Sequence, residues 1–302
     1  MHSDRIDAKI VDAYRQHRPY LVDLAFRMLG DIGAAEDIVQ DAYTKLLAAD
    51  IGEITDERGW LIVVTSRLCL DRIRSAPARR ESTHDAASIE FAAPSVRHQL
   101  ADPADRVTFD DSVRLALLVV LQRLSPAERV VFVLHDIFQM PFGAVAQTVG
   151  RTTQACRQLA SRARQKVAAA EGETRFEIPS AEHRLVTDRF IAACARGDLD
   201  GLLAVLAPDA WGDVDYGPTA TRPHVVVTGA ERVARHLLHF WGEGATLVST
   251  PAGGQPAALG FVDRNLAGVL AFTMREGRIE TVHVITDPAK LSFLSAQLAE
   301  IS

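Results

Sequence analysis

Residues 151–170 contain five basic side chains, Arg151, Arg157, Arg162, Arg164 and Lys166, and no acid. Helical spacing buries Ala155, Leu159, Ala163 and Val167 and leaves Gln154, Arg157, Gln158, Ser161, Arg162 and Lys166 on the polar side. Amides and guanidinium groups near a helix start are the side chains that read base edges in a major groove, while basic groups along its length hold phosphates. Such a helix has to be presented by a second one. A short apolar helix at 142–149, Gly150 as a turn and a long helix at 152–170 supply that helix-turn-helix layout. A helical hairpin with a solvated basic face is the plainer alternative.

Three further groups have types and spacing suited to recognition or chemistry. Asp37, Gln40 and Asp41 share the polar face of an amphipathic helix, which by itself is also what a solvated face looks like. Trp60, Arg67, Asp71, Arg72 and Arg74 lie on another helical run, where Arg67 and Asp71 have the spacing of an ordinary i, i+4 ion pair. Near the C-terminus Asp213, Asp215, Tyr216, Arg222 and His283 are candidates to line a cavity, and an Asp/His pair there would be equipped for proton transfer.

The elements that carry these residues follow from periodicity. Val11, Tyr14, Leu21, Leu24, Ala25, Met28 and Leu29 keep helical spacing until Gly30, and 31–33 reads as a connection. A second helix from Ala34 buries Ile38, Val39, Ala42, Tyr43, Leu46 and Leu47, and a third runs from Trp60 through Arg74 with Pro77 as its stop. Residues 80–105 have linker composition, and 105–124 are again helical. Ser125, Pro126 and Glu128 form a complete helix start: cap, first-turn proline and capping box. After Pro179 the texture becomes α+β. Helices are expected at 181–195, 199–206 and 229–240, strands at 225–228, 246–249, 257–262, 266–275 and 278–286, and a hairpin turn at 275–278. Two helices, a strand, a helix and an antiparallel meander imply a sheet closing over helices around a cone-shaped cavity.

Composition excludes several classes. A 302-residue chain with 48% hydrophobic and 24% charged residues is too long for one ordinary domain and is not disordered throughout. Cys69, Cys156 and Cys194 are far apart, which excludes a disulfide framework or a cysteine zinc site and fits a reducing cytoplasm. No apolar stretch approaches the ~18 residues needed to cross a bilayer, and no cofactor or metal is expected. The net charge of −6 argues against a nucleic-acid partner only as an average. Residues 107–170 have 8 basic and 4 acidic residues, hence +4, whereas 171–302 have 11 basic and 17 acidic, hence −6. Only four of the 33 basic residues are lysines, a bias of GC-rich coding that makes arginine abundance alone weak evidence for phosphate binding.

Leu24-Ala25-Phe26-Arg27-Met28-Leu29-Gly30 followed by Ala35-Glu36-Asp37-Ile38-Val39-Gln40-Asp41 resembles conserved region 2 of the extracytoplasmic-function sigma factors of bacterial RNA polymerase. The 60–74 helix is similar to the promoter-reading part of that region, and Leu124-Ser125-Pro126-Ala127-Glu128-Arg129 with the helix-turn-helix resembles region 4. The C-terminal texture is similar to SnoaL-like domains of the NTF2 superfamily, found in the actinobacterial sigma-J-type subgroup. The chain departs from that subgroup's usual motifs: its inter-domain linker has no Trp, and Asp213-Val214-Asp215-Tyr216-Gly217-Pro218 stands where a glycine-rich Asp-to-Lys box is usual.

The resemblance implies two all-α sigma domains followed by an α+β domain: region 2 at 1–80, a linker at 81–106, region 4 at 107–170, a linker at 171–180 and a SnoaL-like domain at 181–302. It implies a cytoplasmic promoter-specificity subunit that is not an enzyme, needs no cofactor and does not bind membrane. Its partners would be promoter DNA and core polymerase, through the clamp helices of the largest subunit and the flap of the second-largest. Asp37, Gln40 and Asp41 would dock on the clamp helices. Trp60, Arg67, Asp71 and Arg74 would meet the −10 element, and Gln154, Arg157, Gln158, Ser161, Arg162, Arg164 and Lys166 the −35 element. The acidic extension would contact the sigma modules and modulate them in cis. A stand-alone helix-turn-helix regulator with a ligand-sensing domain, or an NTF2-fold enzyme, are the alternatives.

Overall fold

The computed structural model describes residues 2–49, 54, 56–82, 124–170, 181–217, 225–252 and 255–299. The expected linker at 81–106, the helix at 105–124, the Pro179 boundary and Arg222 lie outside the described residues, apart from the helix-to-linker junction at 80–82 and Leu124.

Three helices come first: α1 (His2–Leu29), α2 (Ile32–Ala48) and α3 (Glu57–Ser82). Gly30, at φ 81°, ends α1 as expected, but α2 begins two residues early because the Asp31 carboxylate caps the Ala34 N–H. Pro19 lies inside α1, and α3 continues through Pro77, where the sequence predicts a stop. A proline removes one backbone donor and kinks a helix, and does not end it where neighbouring turns hold.

The second group is α4 (Pro126–Phe132), a single π-helical turn (Val133–Ile137), α5 (Phe142–Val149) and α6 (Thr153–Ala170). The capping box forms as expected: the Ser125 N–H donates to Glu128 Oε2 at 2.9 Å and the Glu128 N–H to Ser125 Oγ at 3.4 Å.

The third group is α7 (Ala181–Arg196), α8 (Leu199–Val205), β1 (Leu206–Asp215), β2 (Val225–Thr228), α9 (Ala230–Trp241), β3 (Ala245–Ala252), β4 (Gln255–Val262), β5 (Asn265–Arg275), β6 (Arg278–Ile285) and α10 (Pro288–Ala299). The strands form one sheet in the order β2-β1-β6-β5-β4-β3, antiparallel except for the parallel β1–β6 pair. The sequence reading has neither β1 nor α10. Ala210, Gly212 and Val214 alternate inward along β1, but five poor strand formers, Pro208, Asp209, Gly212, Asp213 and Asp215, obscure the pattern.

This sheet separates two cores. Leu247, Ala258, Leu270, Phe272, Val282 and Val284 face Phe190, Leu202, Leu237 and Trp241 of α7–α9. On the opposite face Val248, Leu259, Phe261, Val269 and Ile285 join a core that runs through α10 and into α1–α6. Phe26 of α1 meets Phe261 of β4 edge-on, with ring centroids 5.6 Å apart. The α+β domain is therefore seated on the first helical module by apolar contact. A buried ion pair adds to it: Arg27 holds Asp23 at 3.0 Å and donates a second hydrogen bond to the Ser249 carbonyl of β3.

Candidate nucleic-acid and polymerase interface

Burial of Ile38, Val39, Ala42, Tyr43 and Leu46 turns Glu36, Asp37, Gln40 and Asp41 outward on α2. Gln40 and Asp41 are exposed. Asp37 and Glu36 are engaged by the α+β domain. Arg264, in the tight β4–β5 turn, sits 2.7 Å from Asp37 Oδ1 and 3.4 Å from Glu36 Oε2, and Thr246 Oγ1 donates to Glu36 Oε1 at 2.7 Å. Arg18 of α1 closes the cluster at 2.9 Å from Glu36. Asp263 and Arg264 both adopt positive φ, 49° and 65°, the geometry of a two-residue hairpin that aims the arginine at α2.

On α3, Trp60 is half-buried against the helical core, while Arg67, Asp71 and Arg74 are exposed. Arg67 reaches away from Asp71. Its guanidinium donates to the Gln147 carbonyl at 3.2 Å and to the Thr148 carbonyl at 3.5 Å, both at the end of α5. The helix expected to meet the −10 element thus packs against the helix-turn-helix.

The turn of that motif is built as the sequence implies. Gly150 adopts a left-handed conformation, φ 67° and ψ 41°, the Arg151 N–H donates to the Ala146 carbonyl, and Thr152 Oγ1 accepts from the Ala155 N–H at 3.2 Å. Cys156, Leu159, Ala160, Ala163 and Val167 form the buried side of α6, so Cys156 and Ala160 supplement the expected set and Ala155 is only half-buried. Gln154, Arg157, Gln158, Ser161 and Arg162 form a continuous exposed stripe, with the Arg157 guanidinium 5.7 Å from the Phe142 ring centroid. Arg164 and Lys166 are exposed but paired within the module: Arg164 lies 2.6 Å from Asp136 and Lys166 2.7 Å from Glu128. Burial alone would raise the Glu128 carboxyl, but Lys166 and the Ser125 hydrogen bonds outweigh it and hold the group below the usual carboxylate range.

Of the five expected cavity residues, the four that are described, Asp213, Asp215, Tyr216 and His283, do not come together. A cavity of about 260 Å³ is lined by Val214, Tyr216, His236, Leu237, Phe240, Trp241, Val284 and Thr286. Tyr216 is the expected residue among them. Strand alternation turns Asp213, Asp215 and His283 toward the other side of the sheet from Val214, Val282 and Val284. There His283 Nδ1 pairs with Asp213 Oδ1 at 2.7 Å and Lys290 with Asp215 at 2.7 Å. Asp213 borders only a small space beside the cavity.

Sequence reasoning missed Arg264, Thr246, Arg27 and Arg184, whose Nη1 donates to the Ile137 carbonyl of the π turn at 2.6 Å. No local signal marks them, since Arg264 and Asp37 are 227 residues apart. Burial pushes the free Cys69 and Cys194 thiols up to about 12, as expected of packing cysteines. Among the described residues no group of three His, Cys, Asp or Glu side chains is placed to hold a metal ion, and no helix is long and apolar enough to cross a membrane.

A three-helix module with an acidic helix face, followed by a basic helix-turn-helix, is the arrangement of a sigma-type transcription initiation factor. The Sigma-70 region 2 model matches residues 13–79 and the Sigma-70 region 4 model residues 114–167. The chain is 54% identical over 287 residues to the probable ECF RNA polymerase sigma factor SigI of Mycobacterium tuberculosis, covering 95% of this chain and 96% of the relative. It is 38% identical over 296 residues to the ECF RNA polymerase sigma factor SigJ of the same organism, covering 93% and 92%. The crystal structure of M. tuberculosis SigJ matches at 29% identity with a TM-score of 0.38, over 93% of this chain and 98% of that one. The chain belongs to the ECF RNA polymerase sigma factors, which bind core polymerase and direct it to specific promoters.

Proposed function

We propose that the chain divides this work among three surfaces and that its α+β domain regulates one of them in cis. Residues 1–80 form the core-binding and −10 module, 107–170 the −35 module and 181–302 the regulatory domain. Asp37, Gln40 and Asp41 meet basic side chains of the clamp helices, where complementary charge sets register and association rate. Trp60, Arg67, Asp71 and Arg74 face the −10 element. Region 4 docks on the flap and presents Gln154, Arg157, Gln158, Ser161 and Arg162 to the −35 element, while Arg164 and Lys166 add phosphate contacts only by leaving Asp136 and Glu128. All of this takes place in the cytoplasm.

The observation that carries the regulatory part is the seat of Arg264 and Thr246 on Asp37 and Glu36. A basic side chain already paired with Asp37 competes with the basic side chains of the polymerase. Release of the β4–β5 turn is then coupled to core binding. The test compares wild type with Arg264→Ala and Thr246→Ala in binding to purified core polymerase and in promoter-dependent transcription. Tighter core binding and higher output from Arg264→Ala are expected; unchanged or weaker binding would overturn the regulatory part and leave the promoter-directing role intact.

A further inference from the structure

We infer that the α+β domain holds a binding site for a small, neutral, mostly apolar molecule bearing one hydrogen-bonding group. The cavity between α9 and the β1–β6 pair has a volume of about 260 Å³, just below the range of drug-sized sites and suited to a two-ring molecule. Val214, Leu237, Trp241 and Val284 make its wall, each less than one-tenth exposed, and Phe240, 47% exposed, stands at its mouth. A second, smaller space lined by Gly212, Val227, Val233 and Val282 adjoins it, and both share Val214, His236, Leu237 and Val284.

His236 is the group that selects the ligand. Its Nε2 is buried and has no hydrogen-bond partner among the described residues, and burial, reinforced by His239, lowers its pKa and favours the neutral ring. A buried imidazole nitrogen without a partner is costly, and the cavity beside it is apolar, so water gains little there. A hydroxyl or carbonyl on an otherwise apolar ligand would pair with His236 while its rings fill the space between Leu237 and Val284. The Asp213–His283 pair does not line this cavity: strand alternation turns it away, and Asp213 borders only the smaller adjoining space. Binding and not turnover is what the cavity is built for.

Its back wall is shared with the domain seat. The Trp241 ring packs so closely on Gly260 and Gly268 that a Cβ at either would overlap it, at 2.1 and 2.6 Å. Their neighbours Phe261 and Val269 belong to the opposite core, where Phe261 meets Phe26. The site itself rests on the cavity alone and stands whether or not the α+β domain regulates the sigma modules.

The test titrates the full chain with 2-naphthol and with naphthalene, followed by calorimetry. Saturable one-to-one binding of 2-naphthol is expected. His236→Leu should weaken 2-naphthol about tenfold, the worth of one hydrogen bond, and leave naphthalene unchanged. Val214→Phe should fill the cavity and abolish binding of both. If that variant does not fold, by circular dichroism, Phe240→Arg at the half-exposed mouth serves instead, with at least a fivefold loss expected for both ligands. No saturable binding by wild type, equal losses of the two ligands in His236→Leu, or full binding by the blocked variants would each overturn the inference.

Discussion

Helices α2 and α6 are both amphipathic, both display charge, and both are expected to meet a charged partner, yet they are treated differently by the rest of the chain. The recognition stripe from Gln154 to Arg162 is open, and the pairs beside it, Arg164–Asp136 and Lys166–Glu128, are made within its own module. The α2 face is engaged from 210 and 227 residues away by Thr246 and Arg264. A surface that meets DNA gains from an unobstructed basic field. A surface that commits the factor to polymerase can instead be held by an internal competitor. The comparison shows the polar contacts of the α+β domain falling on the α2 face and leaving the recognition stripe open.

The sharpest way to break that difference is at the seat between α1 and β3. Arg27 and Asp23 have side chains only 4% and 10% exposed, and burial raises the Asp23 carboxyl even with Arg27 beside it. Arg27→Leu strands that carboxylate and removes the bond to Ser249, a loss of about 3–5 kcal/mol for one partner of a buried pair. Urea unfolding should show the loss, and Arg27→Leu with Asp23→Leu should recover most of it. A single variant as stable as wild type would mean that the seat is apolar only.

The open side is tested next. Arg157→Ala should reduce discrimination between matched and mutated −35 duplexes by about 1–3 kcal/mol, read by binding at fixed salt. Equal losses on both duplexes would make Arg157 a phosphate contact and the stripe a purely electrostatic surface.

Much of this was legible beforehand because it is local. The capping box at Ser125–Glu128, the Gly150 turn, the buried side of α2 apart from Leu47, which is exposed, and the exposed stripe of α6 each follow from spacing within a few turns of helix. What could not be read was long-range. Strand β1 is hidden by Asp and Gly residues, and without it the side of the sheet to which Asp213 and His283 belong is undefined, so the sequence places Asp213, Asp215 and His283 at a cavity whose lining holds none of them. Its imidazole is His236, on a helix whose amphipathic pattern marks it only as one more half-buried position. The Arg264 contact depends on docking of one whole domain on another, which no window of sequence contains.

Lys166 separates a folding role from a DNA role on the open side. Glu128 is held below its ordinary value of 4.5, so its contribution to stability is complete above that pH and is lost as pH falls through the lower folded value. Lys166 is 46% exposed, which limits the pair to about 1 kcal/mol. Lys166→Ala should lower stability by that amount at pH 7 and by progressively less as pH falls below 4.5, measured by urea unfolding. A loss independent of pH would detach Lys166 from Glu128, and a large fall in the salt dependence of DNA binding at pH 7 would place it on phosphate instead.

The smallest effect is expected at Arg67, where the two sides of the comparison meet. Its hydrogen bond to the Gln147 carbonyl is exposed and the part-buried one to the Thr148 carbonyl is long, so breaking them should cost about 0.5 kcal/mol of stability. Those bonds hold α3 against the presenting helix of region 4, whereas the −10 role proposed for Arg67 needs the same guanidinium to turn to DNA. Arg67→Ala should therefore move two readouts in opposite directions. Protease cleavage between the sigma modules should quicken as the contact loosens, while opening of a −10 duplex by the assembled holoenzyme should slow. If both are unchanged, Arg67 is an ordinary surface charge; if cleavage alone changes, it positions region 4 and reads no DNA.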